Sequence, residues 1–264
     1  MTAKKRFGQN FLAEPEIAAR IVRAAGVRAG ERVLEIGPGH GMLTEQLVAA
    51  GAVVTAIELD RELILGLRHL PITLIEGDAL TVELPAVDRV VANLPYNIAT
   101  PVLVRLLERR VPMALMFQRE VAERLVAVPH TRDYGSLSVH VQLRARPEIV
   151  LTLPPSAFRP QPKVHSTVVR FTPVPLDFAG VDPAAFAKVV RLGFSQRRKT
   201  IANSLGSGIG KEVAIAVLAA AGIDPIARAE TIDLAGWRRL AVAARAAGVG
   251  SAPAPGSGGE GDAP

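Results

Sequence analysis

The segment Asn93-Leu94-Pro95-Tyr96 places an amide, a rigid turn and an aromatic ring within four residues. It follows an apolar run at 87–92 that is typical of a buried strand, and ligands bind at the carboxyl edge of such strands in open α/β sheets. The amide oxygen could accept a hydrogen bond from the exocyclic amine of a planar base. Pro95 fixes its own φ and carries no competing N–H donor, and Tyr96 could stack on the base. A strand-end turn with a half-buried tyrosine is the plainer interpretation.

A glycine-rich turn lies upstream, between a predicted strand at 32–36 and a predicted helix. Its sequence is Gly37-Pro38-Gly39-His40-Gly41. A dinucleotide fingerprint would require glycine at position 42, where this chain has Met42. Glu35 precedes the turn and disfavours a diphosphate there, but it suits a cationic ligand such as the sulfonium and ammonium groups of S-adenosylmethionine. A generic strand-to-helix turn is the alternative.

Polar residues end three successive predicted strands. Glu58 follows the glycine turn by about twenty residues, the spacing at which an acidic residue holds ribose hydroxyls in nucleoside-binding sheets. Asp78 could accept a hydrogen bond from an adenine amine, and Asn93 ends the next strand. Each of the three could instead be a helix N-cap, which is what we expect for Asp60. Together they favour a nucleoside site.

The composition is that of a basic, mostly aliphatic chain. It has 264 residues, a formal net charge of +6, 49% hydrophobic residues and no cysteine. The lack of cysteine excludes disulfides and thiolate catalysis, the histidines share no metal-ligand spacing, and we predict no metal site. No apolar run reaches the ~18 residues of a membrane span and no secretory signal is present. We therefore expect a cytoplasmic monomer with no membrane partner.

Three basic clusters favour a polyanionic partner, because contacts with phosphates release counterions. Each cluster could be only a solvated face, but beside an adenine-type pocket they predict contact with nucleic acid. The predicted contact residues are Lys4, Lys5, Arg6, Arg105, Arg109, Arg197, Arg198 and Lys199.

The order of predicted elements defines the organisation of the chain. Strands alternate with helices to about residue 128, which predicts an α/β fold with a parallel sheet and helices on both faces. Beyond a linker near 172–180 only helical spacing remains, and Asp182 and Asp233 are expected to start two of the helices. We predict a basic arm (1–10), an α/β domain (11–175), a small helical domain contacting RNA (176–247) and a disordered tail (248–264).

Methylation of an adenine amine explains the choice of residues at 93–96. The N6 lone pair is delocalised into the ring, and acceptors on its two hydrogens would make it available. We expect Asn93 Oδ1 and the Leu94 carbonyl to be these acceptors, with no strong base. A base inside a duplex must be flipped or already unpaired, and Tyr96, Phe171 or Phe194 could replace its lost stacking.

Seven segments, in this order, resemble the small-subunit ribosomal RNA adenine N6,N6-dimethyltransferases over roughly residues 4–245. They are Arg6-Phe7-Gly8-Gln9-Asn10-Phe11-Leu12, Glu35-Ile36-Gly37-Pro38-Gly39-His40-Gly41, Glu58, Asp78, Asn93-Leu94-Pro95-Tyr96-Asn97-Ile98, Phe158-Arg159-Pro160 with Pro162-Lys163-Val164, and Gln196-Arg197-Arg198-Lys199-Thr200.

The resemblance implies a Rossmann-like class I methyltransferase sheet with S-adenosylmethionine as methyl donor. It implies that two adjacent adenines in the 3′-terminal hairpin loop of small-subunit rRNA are each dimethylated, on the immature small ribosomal subunit, during its maturation. Residues 93–96 would act at the target amine. The implied cofactor contacts are Gln9, Asn10, Leu12, Gly37, Gly39, Glu58, Leu59, Asp78, Ala79 and Asn93. His165 and Ala202 depart from the family pattern, which bears on the strength of RNA contact.

Other functions remain open at this point. A large-subunit rRNA adenine methyltransferase of the macrolide-resistance type is the nearest alternative, and the segment 196–200 with its helical domain argues against it. The N-terminal arm argues against a DNA adenine methyltransferase. A non-catalytic RNA-binding assembly factor would not need Gly37, Glu58, Asp78 and Asn93 all intact.

Overall fold

The structure, a computed structural model, describes residues 10–175 and 181–250. The described residues form two compact units, residues 10–126 with 141–175 and residues 127–140 with 181–250. The predicted arm contacts Lys4, Lys5, Arg6 and Gln9 lie outside the described residues, as does most of the predicted tail. Within the described residues, no helix is long and apolar enough to cross a membrane.

The first unit contains nine strands. In chain order they are β1 (Phe11–Leu12), β2 (Arg32–Ile36), β3 (Val53–Glu58), β4 (Thr73–Glu76), β5 (Arg89–Ala92), β6 (Met113–Gln118), β7 (Ala145–Leu153), β8 (Phe158–Arg159) and β9 (Ser166–Pro173). Seven of them form one sheet in the order β4-β3-β2-β5-β6-β9-β7. The five strands from β4 to β6 in this order are parallel, and β9 runs antiparallel to both of its neighbours.

The strand order reverses between β2 and β5, and that position determines where a ligand can enter. Because β3 and β5 lie on opposite sides of β2, the connections after β2 and β5 diverge and leave a crevice at the carboxyl edge. The prediction of a Rossmann-like α/β fold is confirmed. The strand predicted at 87–92 is shorter in the structure and spans Arg89–Ala92.

Helices cover the sheet because each carries an apolar face. They are α1 (Pro15–Ala25), α2 (Met42–Ala49), α3 (Arg61–Leu67), α4 (Ala99–Leu107) and α5 (Arg119–Val126). A sixth helix, α6 (Ser136–Gln142), lies mostly within the second unit. Ile21 and Val22 of α1 pack with Leu43 and Leu47 of α2 against Val33 of β2 in one buried cluster. The segment at 137–143, which the sequence left open between helix and strand, is largely the helix α6.

The second unit is helical among its described residues, with α7 (Pro183–Gly193), α8 (Ile201–Ile209), α9 (Lys211–Ala221) and α10 (Leu234–Ala246). Asp182 Oδ1 accepts a hydrogen bond from Ala185 N at 2.7 Å, and Asp233 Oδ1 accepts one from Gly236 N at 2.7 Å. Both predicted helix starts are confirmed, since each side chain satisfies an N–H that has no partner within its helix.

Residues 127–140 group with the helical unit, whereas the predicted boundaries place them in the α/β domain. Tyr134 explains the difference. Its side chain is buried, its hydroxyl donates to the Ile232 carbonyl oxygen at 3.1 Å, and its ring meets Phe194 edge-on at 6.0 Å between centroids. The loop around Tyr134 is therefore fixed to the helical unit by this one aromatic residue.

We expect Gly193→Ala to destabilise the protein by about 1–3 kcal/mol, because the added methyl group would overpack a buried site. A Cβ at Gly193 would lie 2.4 Å from Trp237 Cη2, and that tryptophan is fully buried. Gly66→Ala is the control, since nothing lies within 4 Å of a Cβ there. It should be neutral or stabilise by up to ~1 kcal/mol. Urea unfolding measures both variants, and equal free energies of unfolding would contradict the packing argument.

Candidate active site

A cleft opens at the carboxyl edge of the sheet, beside the reversal in strand order. It is lined by residues 10–12, 35–40, 42–43, 57–60, 77–79 and 93–98. The sequence-predicted site residues that line it are Asn10, Leu12, Gly37, Gly39, Glu58, Leu59, Asp78, Ala79, Asn93, Leu94, Pro95 and Tyr96. Residues from five separated segments of the chain thus meet in one cavity.

The glycine turn adopts backbone conformations that favour glycine. Gly37, Gly39 and Gly41 have φ values of 68°, 61° and 88°, in the left-handed region where a Cβ is disfavoured. A Cβ at Gly39 would also lie 2.7 Å from a ring carbon of Phe11. The turn therefore needs glycine at position 39 both for its own conformation and for the close approach of this ring.

Phe11 closes the cleft over the glycine turn. Its ring centroid lies 4.3 Å from that of His40, and its strand β1 pairs with β8 in the register Phe11↔Arg159 and Leu12↔Phe158. Sequence reasoning included Phe11 in a motif but did not assign it to the site. Its position depends on pairing with a strand almost 150 residues later, which no local pattern indicates.

Asn93 is held by its amide nitrogen. Nδ2 donates a hydrogen bond to the backbone carbonyl of Asn10 at 2.9 Å. Because only the NH₂ end of a carboxamide can donate, this contact fixes which end of the side chain is which. The orientation agrees with Oδ1 as the end available to accept from a ligand, the role predicted for it.

Tyr96 is restrained through its hydroxyl, which forms a hydrogen bond with Ser166 Oγ. Burial raises the pKa of Tyr96, and the bond to Ser166 only partly offsets that effect. The phenol is therefore neutral near pH 7. Sequence reasoning gave Ser166 no role, because the pairing spans 70 residues.

Phe171 cannot serve as the second stacking residue that we considered. It is completely buried, and its ring packs edge-on against Phe117 at 6.1 Å between centroids. Its place on β9, between two neighbouring strands, leaves no face exposed to a ligand.

Glu58 is buried at the end of β3 and is surrounded by backbone donors. Its Oε1 accepts from Leu59 N and Asp60 N, both at 2.9 Å, and its Oε2 accepts from Gly39 N at 3.3 Å. Burial nevertheless raises the pKa of this carboxyl group. The three N–H groups fix the carboxyl plane, so that its remaining lone pairs have a defined direction.

Asp78 organises the turn after β4. Its Oδ1 accepts from Leu80 N at 2.9 Å, and its carbonyl oxygen accepts from Thr81 N and Val82 N, each at 2.9 Å. Asp60 acts as the predicted helix cap, since its Oδ1 accepts from Glu62 N at 3.1 Å. The two acids therefore behave differently: Asp60 starts a regular helix, and Asp78 starts an irregular turn at the cleft wall.

Glu35 is the most deeply buried acid in the cleft wall, at 1% exposure. Its Oε2 has no hydrogen-bond partner in the part of the chain that the structure describes. Burial raises the pKa of this carboxyl group to about 8, and the neighbouring Glu58 adds to the shift. Contact with the Thr44 side chain only partly offsets this effect of burial on the pKa. A buried acid with one unpartnered oxygen favours a positively charged or hydrogen-bond-donating ligand group.

The predicted RNA-contacting residues do not share one environment. Arg198 and Lys199 are exposed between α7 and α8, and Arg197, also exposed, donates to the Arg132 carbonyl. Arg109 is exposed and donates to the Pro85 carbonyl at 3.0 Å. Arg105 differs from these residues: it is half-buried, and its guanidinium donates to the carbonyls of Ala79 and Val82 within the protein.

The sequence matches the family model for ribosomal RNA adenine dimethylase over residues 1–243. A protein of Synechococcus sp. (strain JA-3-3Ab) named ribosomal RNA small subunit methyltransferase A is 44% identical over 257 residues, covering 90% of this chain and 91% of that protein. A protein of the same name from Thiobacillus denitrificans is 45% identical over 250 residues, covering 90% and 96%.

Two solved structures are also similar to this chain. The crystal structure of a dimethyladenosine transferase from Plasmodium falciparum superimposes with a TM-score of 0.81 at 26% identity, covering 90% of this chain and 98% of that one. The 23S rRNA methyltransferase ErmE superimposes with a TM-score of 0.64 at 29% identity, covering 89% and 99%. The chain therefore belongs to the ribosomal RNA adenine dimethylase family.

Proposed function

We propose that this protein uses S-adenosylmethionine to dimethylate the N6 amines of two adjacent adenines in the 3′-terminal hairpin loop of small-subunit rRNA. The names of relatives about 44% identical over 90% of the chain support small-subunit rRNA as the substrate. The similarity to a 23S rRNA methyltransferase makes large-subunit RNA the alternative that an experiment must test.

The orientation of Asn93 is the observation that carries the proposal. With Nδ2 bonded to the Asn10 carbonyl, Oδ1 is the end left to accept from an adenine amine, and the Leu94 carbonyl would accept its second hydrogen. Two acceptors on one amine draw the N6 lone pair out of conjugation with the ring. Adenine N6 loses a proton to solvent for each methyl group it gains, and the donor leaves as a neutral thioether. That proton becomes acidic as the N–C bond forms, so the site needs no strong base.

The cleft residues fit S-adenosylmethionine as the donor. When bound, this cofactor supplies an electrophilic methyl group on a sulfonium. Glu58 would accept from ribose hydroxyls with its fixed carboxyl group, and Asp78 and Ala79 would border the adenine. Glu35, with its unpartnered buried oxygen, would face the cationic methionine portion.

The helical unit would contact RNA through Arg197, Arg198 and Lys199, which are exposed. Cationic side chains at that position would bind phosphates, and the affinity for RNA would fall as the salt concentration increases. We further propose that the protein works as a cytoplasmic monomer on the immature small subunit during its maturation.

The direct test uses labelled S-adenosylmethionine and small ribosomal subunits from a strain that lacks the modification. We expect label on two adjacent adenines near the 3′ end of the small-subunit rRNA, with two methyl groups on each. Label on large-subunit RNA would instead support a macrolide-resistance type of activity. Label on neither RNA would contradict the proposal.

Asn93→Asp should lower the rate of methyl transfer by about 100-fold, the scale of loss for a misplaced reacting group. Aspartate keeps an acceptor, but it loses the N–H donated to the Asn10 carbonyl. Its second carboxylate oxygen would face the Asn10 carbonyl oxygen, and the two would repel each other. Single-turnover kinetics measure the loss, and calorimetry should show that the cofactor still binds. Asn203→Asp makes the same chemical change at an exposed position and should retain full activity. Near-normal turnover in Asn93→Asp would refute the orientation argument.

Glu35→Gln should change how the stability of the ligand-free protein depends on pH. Below pH ~4.5 the Glu35 carboxyl group is neutral in both the folded and the unfolded protein, and the protein keeps its full free energy of unfolding. Because the folded-state pKa is raised to about 8, the unfolded state ionises first, and this stability is lost as pH rises through about 8. The variant should therefore gain stability relative to the unaltered protein between pH 5 and pH 9, by up to ~5 kcal/mol. Urea unfolding across this range measures the difference.

Glu45→Gln is the matched control for that experiment, because Glu45 is exposed on α2. If Glu35→Gln behaves like Glu45→Gln, Glu35 does not titrate as a buried acid.

A further inference from the structure

The connection from β4 to β5 spans residues 77–88 and contains no helix or strand. It carries Asp78 and Ala79, which line the cleft. Backbone polar groups in such a segment need partners from elsewhere. Asp78 satisfies three N–H groups of the turn, those of Leu80, Thr81 and Val82, but these contacts leave the turn's other carbonyls without donors.

Arg105 supplies those partners. Its Nη1 donates to the Ala79 carbonyl oxygen at 2.6 Å, and its Nη2 donates to the Val82 carbonyl oxygen. Ala79 is buried, and Arg105 is half-buried. A guanidinium is a planar fork of donors that holds its charge at every relevant pH. Its two contacts, three residues apart in sequence, fix both ends of the turn that Asp78 begins.

The helix that carries Arg105 starts from the opposite wall of the cleft. The Pro95 carbonyl accepts from Ile98 N at 3.1 Å, and the Ile98 carbonyl accepts from Val102 N at 2.9 Å. Helix α4 is thus a direct continuation of the segment that begins with Asn93. Arg105, near its end, reaches across to the segment that holds Asp78.

We propose that Arg105 is a positioning residue for the cofactor's adenine, holding the Asp78–Val82 turn in place from the helix that follows Asn93. The inference rests on the proposed function, since it assigns the 77–79 wall to the adenine of S-adenosylmethionine. It replaces the expectation that Arg105 binds RNA. Loss of its two hydrogen bonds should loosen the turn and weaken nucleoside binding without touching the groups that act at the target amine.

The same helix provides a matched comparison. Arg109 donates to the Pro85 carbonyl in the same connection, but Pro85 does not line the cleft. Arg105→Met and Arg109→Met therefore remove the same charge from the same helix and differ in which carbonyls they release. Arg105→Lys keeps the charge but has one ammonium group in place of the fork.

The test measures S-adenosylhomocysteine binding by calorimetry on the full-length protein. We expect Arg105→Met to raise the Kd about tenfold, as expected for the loss of a charged hydrogen bond that orders a site. Arg109→Met should change it by less than about twofold, and Arg105→Lys should lie between the two. Methyl transfer at saturating cofactor should change little in Arg105→Met, which separates a binding defect from a catalytic one. If Arg105→Met does not fold, Arg105→Lys carries the comparison.

Binding of each variant to small ribosomal subunits over a range of salt concentrations completes the experiment. An unchanged salt slope in Arg105→Met supports the inference, whereas a reduced slope with normal S-adenosylhomocysteine binding would restore Arg105 to the RNA surface and overturn it. Equal Kd values for Arg105→Met and Arg109→Met would also overturn it. If the unaltered protein does not bind S-adenosylhomocysteine, the proposed function fails as well. If the unaltered protein binds S-adenosylhomocysteine and Arg105→Met binds it equally well, only the inference about Arg105 fails and the proposed function is retained.

Discussion

The hydrogen bond from Asn93 Nδ2 to the Asn10 carbonyl is the constraint on which the chemistry of the cleft depends. A carboxamide has a donor end and an acceptor end of nearly equal shape, and it could present either one to a ligand. The bond removes that freedom by using the donor end. It needs Asn10 to be in place, and Asn10 precedes a strand that pairs with β8 and carries the ring that covers the glycine turn. The orientation of the Asn93 side chain thus depends on the position of residues 10–12, which cover the cleft.

Charge is distributed unevenly in the first unit. The protein as a whole carries a formal charge of +6, yet the cleft wall contains the four acids Glu35, Glu58, Asp60 and Asp78. Such a cleft attracts a cationic nucleoside and disfavours a phosphate-rich one, while the basic exterior favours RNA. Burial raises the pKa of Glu35 and that of Glu58. A positively charged ligand would lower both pKa values and thereby gain a stronger attraction.

Sequence reasoning located the site better than it described how the site is held. Strand ends mark the carboxyl edge of a parallel sheet, so Glu58, Asp78 and Asn93 could be placed together from spacing alone, and all three line one cleft. The contacts of Arg105 could not be predicted, for a different reason. A cluster of arginines looks the same in a sequence whether its guanidinium groups face solvent or backbone carbonyls, and only the irregular path of residues 77–88 gave Arg105 its partners. The grouping of residues 127–140 with the helical unit was not predicted, for a similar reason. The residues around Tyr134 are polar, so the sequence did not indicate that its side chain is buried.

The sequence by itself determined the order of strands and helices, the helix starts at Asp182 and Asp233, the glycine turn and the residue types that a methyl-transfer site for adenine requires. These follow from local physics: hydrophobic periodicity, helix capping and the conformational range of glycine act within a few residues. The tertiary structure decided the pairings of Asn93 with Asn10, Tyr96 with Ser166, and Arg105 with the turn after Asp78. Each of these joins residues 23 to 83 positions apart. Such contacts exist only when the sheet brings distant segments to one edge, and no pattern within a single segment encodes them.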